Sequence, residues 1–219
     1  MGILISENPH YNSNFTITLI GNNNQTHQIS TTVTNHPGIA RDWLHSLLHN
    51  HRFHRHRLVV GLGVQWTPST YFYNHSAATI QLCIGRQCLV FKLHRAGSCP
   101  RVLRRLLSDS RVTFVGLWNH QDAAKLRESR HKLEMEAGMP IDLRHHVEDD
   151  NGRSLYRSTI AEIAEEVLDI DIGRSDTVAR SDWEVENLSC GQALQAAIDA
   201  FVAYAVGMRI RAWELNPNF

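Results

Sequence analysis

Leu58-Val59-Val60-Gly61-Leu62-Gly63-Val64-Gln65-Trp66-Thr67-Pro68 is the first long apolar, β-branched run of the chain. It follows a basic, histidine-rich segment and is closed by Pro68, which is the signature of a buried interior strand. Side chains alternate along a strand, so Val60, Leu62, Val64 and Trp66 share one face while Gly61, Gly63 and Gln65 share the other. That second face is small and polar. Glycines two apart on a buried strand mark either the close approach of another backbone or the opening of a site, and both readings stand at this point.

The chain has 219 residues, enough for one sizeable core, and no glycine-, serine- or proline-rich linker divides it, so a single domain is expected. Its 42% hydrophobic and 20% charged content is globular, and 22 basic against 22 acidic residues argue against a broad nucleic-acid-coating surface. Any phosphate binding must be local. Fourteen histidines make the net charge climb as pH falls towards about 6.5. Cys83, Cys88, Cys99 and Cys190 form no CxxC pair and no zinc spacing, which reads as free thiols in a reducing compartment. Met1-Gly2-Ile3-Leu4-Ile5-Ser6 matches the short myristoylation pattern at Gly2, a pattern common by chance. With no signal-peptide order and no apolar run near about 20 residues, the expectation is a soluble cytoplasmic or nuclear protein with no membrane partner.

Phe15 to Ile20 alternates, Gly21 and three asparagines make a turn, and Gln28 to Thr34 resumes strand composition, giving an N-terminal hairpin. After Pro37, Ile39, Trp43, Leu44, Leu47 and Leu48 recur at helical spacing over about ten residues. His51-Arg52-Phe53-His54-Arg55-His56-Arg57 reads as a solvated linker, with a phosphate- or partner-contacting patch as the alternative. Beyond the opening strand, Tyr71 to Asn74 reads as a loop, and Ala78 to Ile84 and Cys88 to Leu93 complete an antiparallel meander. A helix follows Pro100, then a short buried strand from Val112 to Leu117, a helix from Gln121 to Glu134, a brief extended segment at Pro140 to Leu143, and a helix from Ser158 to Leu168. A polar connection from Asp171 to Asn187 leads to a last helix capped by Ser189. This order predicts an α/β mixed sheet flanked by helices, of the ribonuclease-H-like kind. Residues 1–36 are expected to form a hairpin packed on the domain, 37–212 the domain itself and 213–219 a tail.

The passage Val60 to Trp66 resembles the first motif of the DnaQ-like 3′-5′ exonucleases, in the plant branch related to the Werner exonuclease, where the strand reads Val-Gly-Leu-Asp-x-Glu-Trp. Further matches follow in order: Ala78 to Cys83, Gly85 to Phe91, Phe114-Val115-Gly116 leading to Asp122 to Leu126, Ile141 to Arg144, Trp183, Leu188-Ser189, Gln192 and Ala196 to Val202. The resemblance spans roughly Thr31 to Ile210 and implies an exonuclease-like domain. It also implies a site of four carboxylates holding two divalent metals, with a tyrosine or histidine that orients the attacking water, the DEDDy arrangement when it is tyrosine. Against that pattern this chain has Gly63 and Gln65 in place of the first aspartate and glutamate, keeps Asp122 and Asp199 at the two later aspartate positions, and has Gln195 at the tyrosine position and Leu194 at the histidine position.

Two-metal hydrolysis needs ions about 3.5–4 Å apart. At that spacing they repel by ~16 kcal/mol at an effective dielectric of ~20, four times the unit-charge figure. Four carboxylates offset this; two do not. The expectation is therefore no more than one weakly held Mg²⁺ or Mn²⁺, anchored by Asp122 and Asp199 with help from the Gln65 amide oxygen, or no ion at all. Read without the resemblance, Asp122 is a dipole partner in the first turn of a helix, and Asp199 is a cap or the partner of an arginine. Glu128, Glu134, Glu136 and Glu148-Asp149-Asp150 read as solvated, with replacement of lost ligands as the alternative.

Trp118 stands where a terminal base could stack, and His120 two residues before Asp122 could touch phosphate, though a lone histidine at a helix start is more often a surface hydrogen-bonding group. Trp66 reads as core. Arg101, Arg104 and Arg105, and Arg127, Arg130 and His131 with Lys132 beside them, form two basic groups on exposed helical faces, either solvated or tracking a nucleic-acid backbone. Three functions follow: a protein that binds single-stranded RNA or DNA with weak or absent hydrolysis; a working exonuclease with a reshaped or subunit-shared site; and a regulatory subunit that forms a homo-oligomer or assembles with active family members.

Overall fold

The computed structural model describes residues 3–7, 14–22, 25–69 and 73–218, with side chains from residue 14 onward. Gly2, part of the asparagine turn after Gly21 and part of the Tyr71 to Asn74 loop lie outside the described residues. Among the described residues eight strands form one sheet. In chain order they are β1 (Ile3–Glu7), β2 (Asn14–Ile20), β3 (Thr26–Thr34), β4 (Val59–Gln65), β5 (Thr79–Ile84), β6 (Gln87–Phe91), β7 (Thr113–Gly116) and β8 (Ile141–Asp142). Across the sheet the order is β1-β2-β3-β6-β5-β4-β7-β8. The sheet is mixed: β4, β5 and β6 are the antiparallel meander, while β7 runs parallel to β4 and β3 parallel to β6.

The alternation along β4 sorts the two layers. Val60, Leu62 and Val64 are buried with Leu44 and Leu47 of α1 (Pro37–Asn50) and Leu103 and Leu106 of α2 (Arg101–Leu107). Val59, Cys83 and Val115 are buried on the opposite side with Ile163 and Ala164 of α4 (Ile160–Leu168) and Ala196, Ala200 and Ala203 of α6 (Cys190–Arg209). Alanines recur along α6, so it lies close to the sheet. At Gly61 the approach is closest, because a Cβ there would come within 2.0 Å of the Ala200 carbonyl oxygen and 2.6 Å of the Tyr204 amide nitrogen. Both helices on that side begin with reciprocal capping boxes. Thr159 Oγ1 accepts from the Glu162 amide at 3.2 Å and Ser189 Oγ from the Gln192 amide at 3.2 Å.

Several boundaries depart from the sequence pattern. The helix expected from Gln121 to Glu134 is α3 (Asp122–Glu128) and stops a turn and a half early. Ser129 turns extended, its hydroxyl donates to the Leu126 carbonyl at 2.6 Å, and the Leu133 amide bonds that same carbonyl, so the chain doubles back to bury Leu133. Apolar burial outweighs helix-favouring composition here. α1 is longer than expected, at 14 residues, β1 adds a third N-terminal strand, and α5 (Asp176–Ala179) is a single turn inside the polar connection. The N-terminal strands continue the sheet through β3, which pairs with β6. Past the last helix, Asn216 is buried and its side-chain amide donates to Thr113 Oγ1 at 3.1 Å and to the Ser110 carbonyl at 3.2 Å. All four cysteines are free thiols. Among the described residues no helix is long and apolar enough to cross a membrane.

Candidate functional site

At the C-terminal end of β4 a cavity of about 160 Å³ is lined by Gly63, Gln65, Trp66, Trp118, Asp122, Arg174 and Asp199. Topology brings them there. Gly63 and Gln65 face α6 because their strand neighbours face α1 and α2. Asp122 opens α3 after a tight turn that leaves β7, in which Trp118 takes a left-handed backbone with φ +56°. The buried Asn119 side chain pins that turn to β8, donating to the Pro140 and Ile141 carbonyls at 3.3 and 3.1 Å. Asp199 comes from the middle of α6.

The charges in this cavity are not those of an open carboxylate cluster. The guanidinium of Arg174, from the loop before α5, lies along Asp199: Nη2 donates to Oδ2 at 3.3 Å, and Nε lies 3.2 Å from Oδ1 as an ion pair, off the line of a hydrogen bond. Gln65 Nε2 also donates to Oδ2, at 3.4 Å, while the buried Oδ1 has no hydrogen-bond donor. Burial pushes the Asp199 carboxyl above the usual range, against the opposing pull of Arg174 and Gln65. Among the described residues Asp122 has no such cation. Burial pushes its carboxyl well up, and the negative charges of Asp142 and Asp199 push it further.

Gly63 is bare, and its space is taken. A Cβ there would meet Gln81 Oε1 at 2.8 Å, and this oxygen is itself buried without a donor while Gln81 Nε2 holds Thr79 Oγ1 at 2.5 Å. Gln195 does not line this cavity. It faces a neighbouring one of about 90 Å³ that shares Arg174 and Asp199, and its buried Nε2 has no acceptor. Among the described residues no group of three or more His, Cys, Asp or Glu side chains is placed to hold a metal ion. The donor set does not fit a pair of divalent ions: one carboxylate carries a guanidinium, Gly63 supplies no side-chain donor, and Gln65 presents its NH₂ to Asp199. Of the other acids, Glu128 accepts from Asn74 at 3.4 Å and Asp149 caps its own turn through the Asn151 and Arg153 amides, and neither lines the cavity.

Trp118 also borders a wider groove of about 810 Å³ with His120, Arg144, His145 and Tyr156. The buried Arg144 guanidinium lies 3.6 Å from the centre of the Trp118 ring, is fixed by Asp142 through Nη2–Oδ2 at 2.6 Å, and leaves the indole 44% exposed. Trp118 Nε1 donates to the Ser158 carbonyl at 3.0 Å, which sets the ring's orientation. Arg127 is exposed on α3 and lines neither space. The suggested basic track is partly used for structure. Arg104 donates to the His131 and Lys132 carbonyls at 2.6 and 3.2 Å, Arg130 donates to the His94 carbonyl at 3.1 Å, and His131 is buried against the Leu93 carbonyl.

Sequence reading allowed Asp199 an arginine partner but did not find Arg174, which sits in an aperiodic stretch 25 residues upstream. The electrostatics give a test. An aspartate whose folded pKa is raised above the unfolded value of about 3.9 costs stability as pH climbs through that interval. Asp122→Asn is therefore expected to melt higher than wild type at neutral pH, with the gap closing as pH falls to about 4 in thermal melts.

No protein-family model matches the chain, and neither does any curated protein sequence. Solved structures do. The exonuclease domain of Aedes aegypti Nibbler superposes with a TM-score of 0.62 at 14% identity, over 84% of this chain and 88% of that one. Escherichia coli RNase D, an exoribonuclease involved in structured RNA processing, gives 0.61 at 19% identity over 78% of this chain, which spans only 43% of that enzyme. The EXD2 exonuclease domain, soaked in Mn, gives 0.45 at 20% identity over 84% and 90%. On the first two comparisons, the chain has the fold of DnaQ-like exonuclease domains, a ribonuclease-H-like mixed sheet with helices on both faces.

Proposed function

We propose that the chain binds single-stranded RNA or DNA at this cleft and hydrolyses it weakly or not at all. The observation that carries this reading is the Arg174 guanidinium lying along Asp199 in a cavity where Gly63 offers no side chain. Phosphodiester hydrolysis by two ions depends on their placement beside an in-line water, and here a fixed cation sits on one of the two remaining carboxylates. What remains suits binding. Arg174 keeps further N–H donors for a phosphate oxygen, and Trp118, fixed by Arg144 on one side and by its bond to Ser158, offers an aromatic surface on which any base can stack.

The test uses a labelled single strand. Wild-type protein is expected to shift its fluorescence anisotropy with salt-dependent affinity and to leave it undigested in Mg²⁺ or Mn²⁺. Trp118→Ala should weaken binding about tenfold, the stacking contribution of one base. Efficient digestion that stops in Asp122→Ala would overturn the reading in favour of a reshaped enzyme.

A further inference from the structure

None of the basic side chains of the chain's most basic stretch lines the cleft. From Trp43 to Ser108 there are nine Lys and Arg residues and no Asp or Glu, although the whole chain balances 22 against 22. The fold gathers part of this excess into one place. The last turns of α1 and α2, the turn through Arg55 and the loop before β7 enclose an open groove of about 990 Å³. It lies at the N-terminal ends of β4 and β7, whereas the cleft lies at their C-terminal ends.

The guanidinium groups of Arg52, Arg55, Arg105 and Arg111 line this groove with a single carboxylate, Asp109. That carboxylate is committed. Arg55 Nη1 reaches Oδ2 at 3.2 Å, and Arg111 binds both oxygens at 2.8 Å. Among the described residues Arg52 and Arg105 have no ion-pair partner. Arg52 donates to the His49 carbonyl at 3.0 Å and lies 4.4 Å from the ring centre of Phe53, a phenyl group left 72% exposed beside the groove. Serine hydroxyls of the groove wall, Ser46 and Ser108 among them, add neutral donors.

We propose that this groove is a second nucleic-acid contact, binding the phosphodiester backbone of a single strand independently of the cleft, with a base stacked on Phe53. Arginine forks suit phosphate oxygens in pairs, hydroxyls complete such contacts without reading sequence, and a stacked guanidinium–phenyl pair extends a flat surface towards a base. An acidic peptide would satisfy the guanidinium groups, but its carboxylate side chains carry no ring to stack on Phe53, whereas every nucleotide pairs a phosphate with a base. The proposal rests on the reading of the chain as a nucleic-acid binder, though not on its cleft.

The experiment measures anisotropy of a labelled strand of about 20 nucleotides over a salt series, for wild type, Arg52→Glu/Arg105→Glu, the neutral Arg52→Gln/Arg105→Gln pair and Trp118→Ala. Losing two phosphate contacts should weaken binding by about tenfold or more in the Glu pair, less in the Gln pair, and flatten the slope of log affinity against log salt by roughly 1.4. Trp118→Ala should weaken binding with the slope unchanged. All three substituted residues are at the surface, and melting curves confirm folding. If Trp118→Ala weakens binding while both arginine pairs match wild type, the groove proposal fails alone. If wild type binds no strand, both readings fail. Binding of polyglutamate in place of the strand, or self-association lost in the Glu pair without any strand binding, assigns the groove to an acidic partner or a second copy and overturns the proposal.

Discussion

Gly61→Ala is expected to be the most damaging small substitution in the protein. The added methyl group would lie 2.0 Å from the Ala200 carbonyl oxygen, 2.6 Å from the Tyr204 amide nitrogen and 2.8 Å from Tyr204 Cβ. Overpacking a core ordinarily costs about 1–3 kcal/mol because side chains can yield. Here the obstacles are backbone atoms of α6, so relief requires moving the helix off the sheet and with it the contacts of Ala196, Ala200 and Ala203. A loss of about 4 kcal/mol or more follows, which for a chain of this size lowers the melting temperature by about 10 °C or more. Gly97→Ala is the control, since a Cβ there meets nothing within 4 Å. Thermal melts in which Gly61→Ala and Gly97→Ala coincide would show that α6 does not sit where the structure has it.

The second large effect is expected from Arg174→Ala. Asp199 is buried, and its only cationic partner among the described residues is removed, while the side-chain donor that remains there, Gln65, is neutral. Breaking a buried pair from one side costs about 3–5 kcal/mol, and because Arg174 is itself partly exposed the lower end applies. The pH dependence has a definite sign. Without the guanidinium the folded pKa of Asp199, already raised, rises further. The added loss therefore appears as pH climbs above about 4 and is fullest at neutral pH. Arg174→Ala/Asp199→Asn should recover most of the stability, because the unpaired charge is gone. Mn²⁺ should raise the melting temperature of Arg174→Ala, whose Asp199 carboxylate no longer carries a guanidinium, and leave wild type unmoved. Equal stability of Arg174→Ala and wild type at neutral pH would mean that the pair contributes nothing.

Much of this architecture was readable from periodicity. The two-residue alternation of Val60, Leu62 and Val64 against Gly61 and Gly63 assigned both faces of β4, and the two explanations for the glycines divide between them. Gly61 answers to a crossing backbone, and Gly63 opens on the cavity, with Gln81 in the room its side chain would need. Local signals also set the starts of α4 and α6, since Thr159 and Ser189 carry their capping partners three residues on. What escaped was non-local. The end of α3 is decided by burying Leu133 rather than by helix propensity, and the lodging of Arg174 against Asp199 is a tertiary contact from an aperiodic loop. The asymmetry of charge along the chain was visible as residues, but the balance of the totals concealed it.

The place of α6 in the chain also sets an order of events during synthesis. Every strand of the meander is made at least about a hundred residues before Cys190–Arg209 leaves the ribosome, so Gly61, Gly63 and Asp122 wait with one side of the sheet uncovered. Contacts so distant in sequence form late and close slowly. The nascent protein thus carries an open apolar sheet face until its last long helix docks, and a chaperone that shields such faces would find its longest opportunity there.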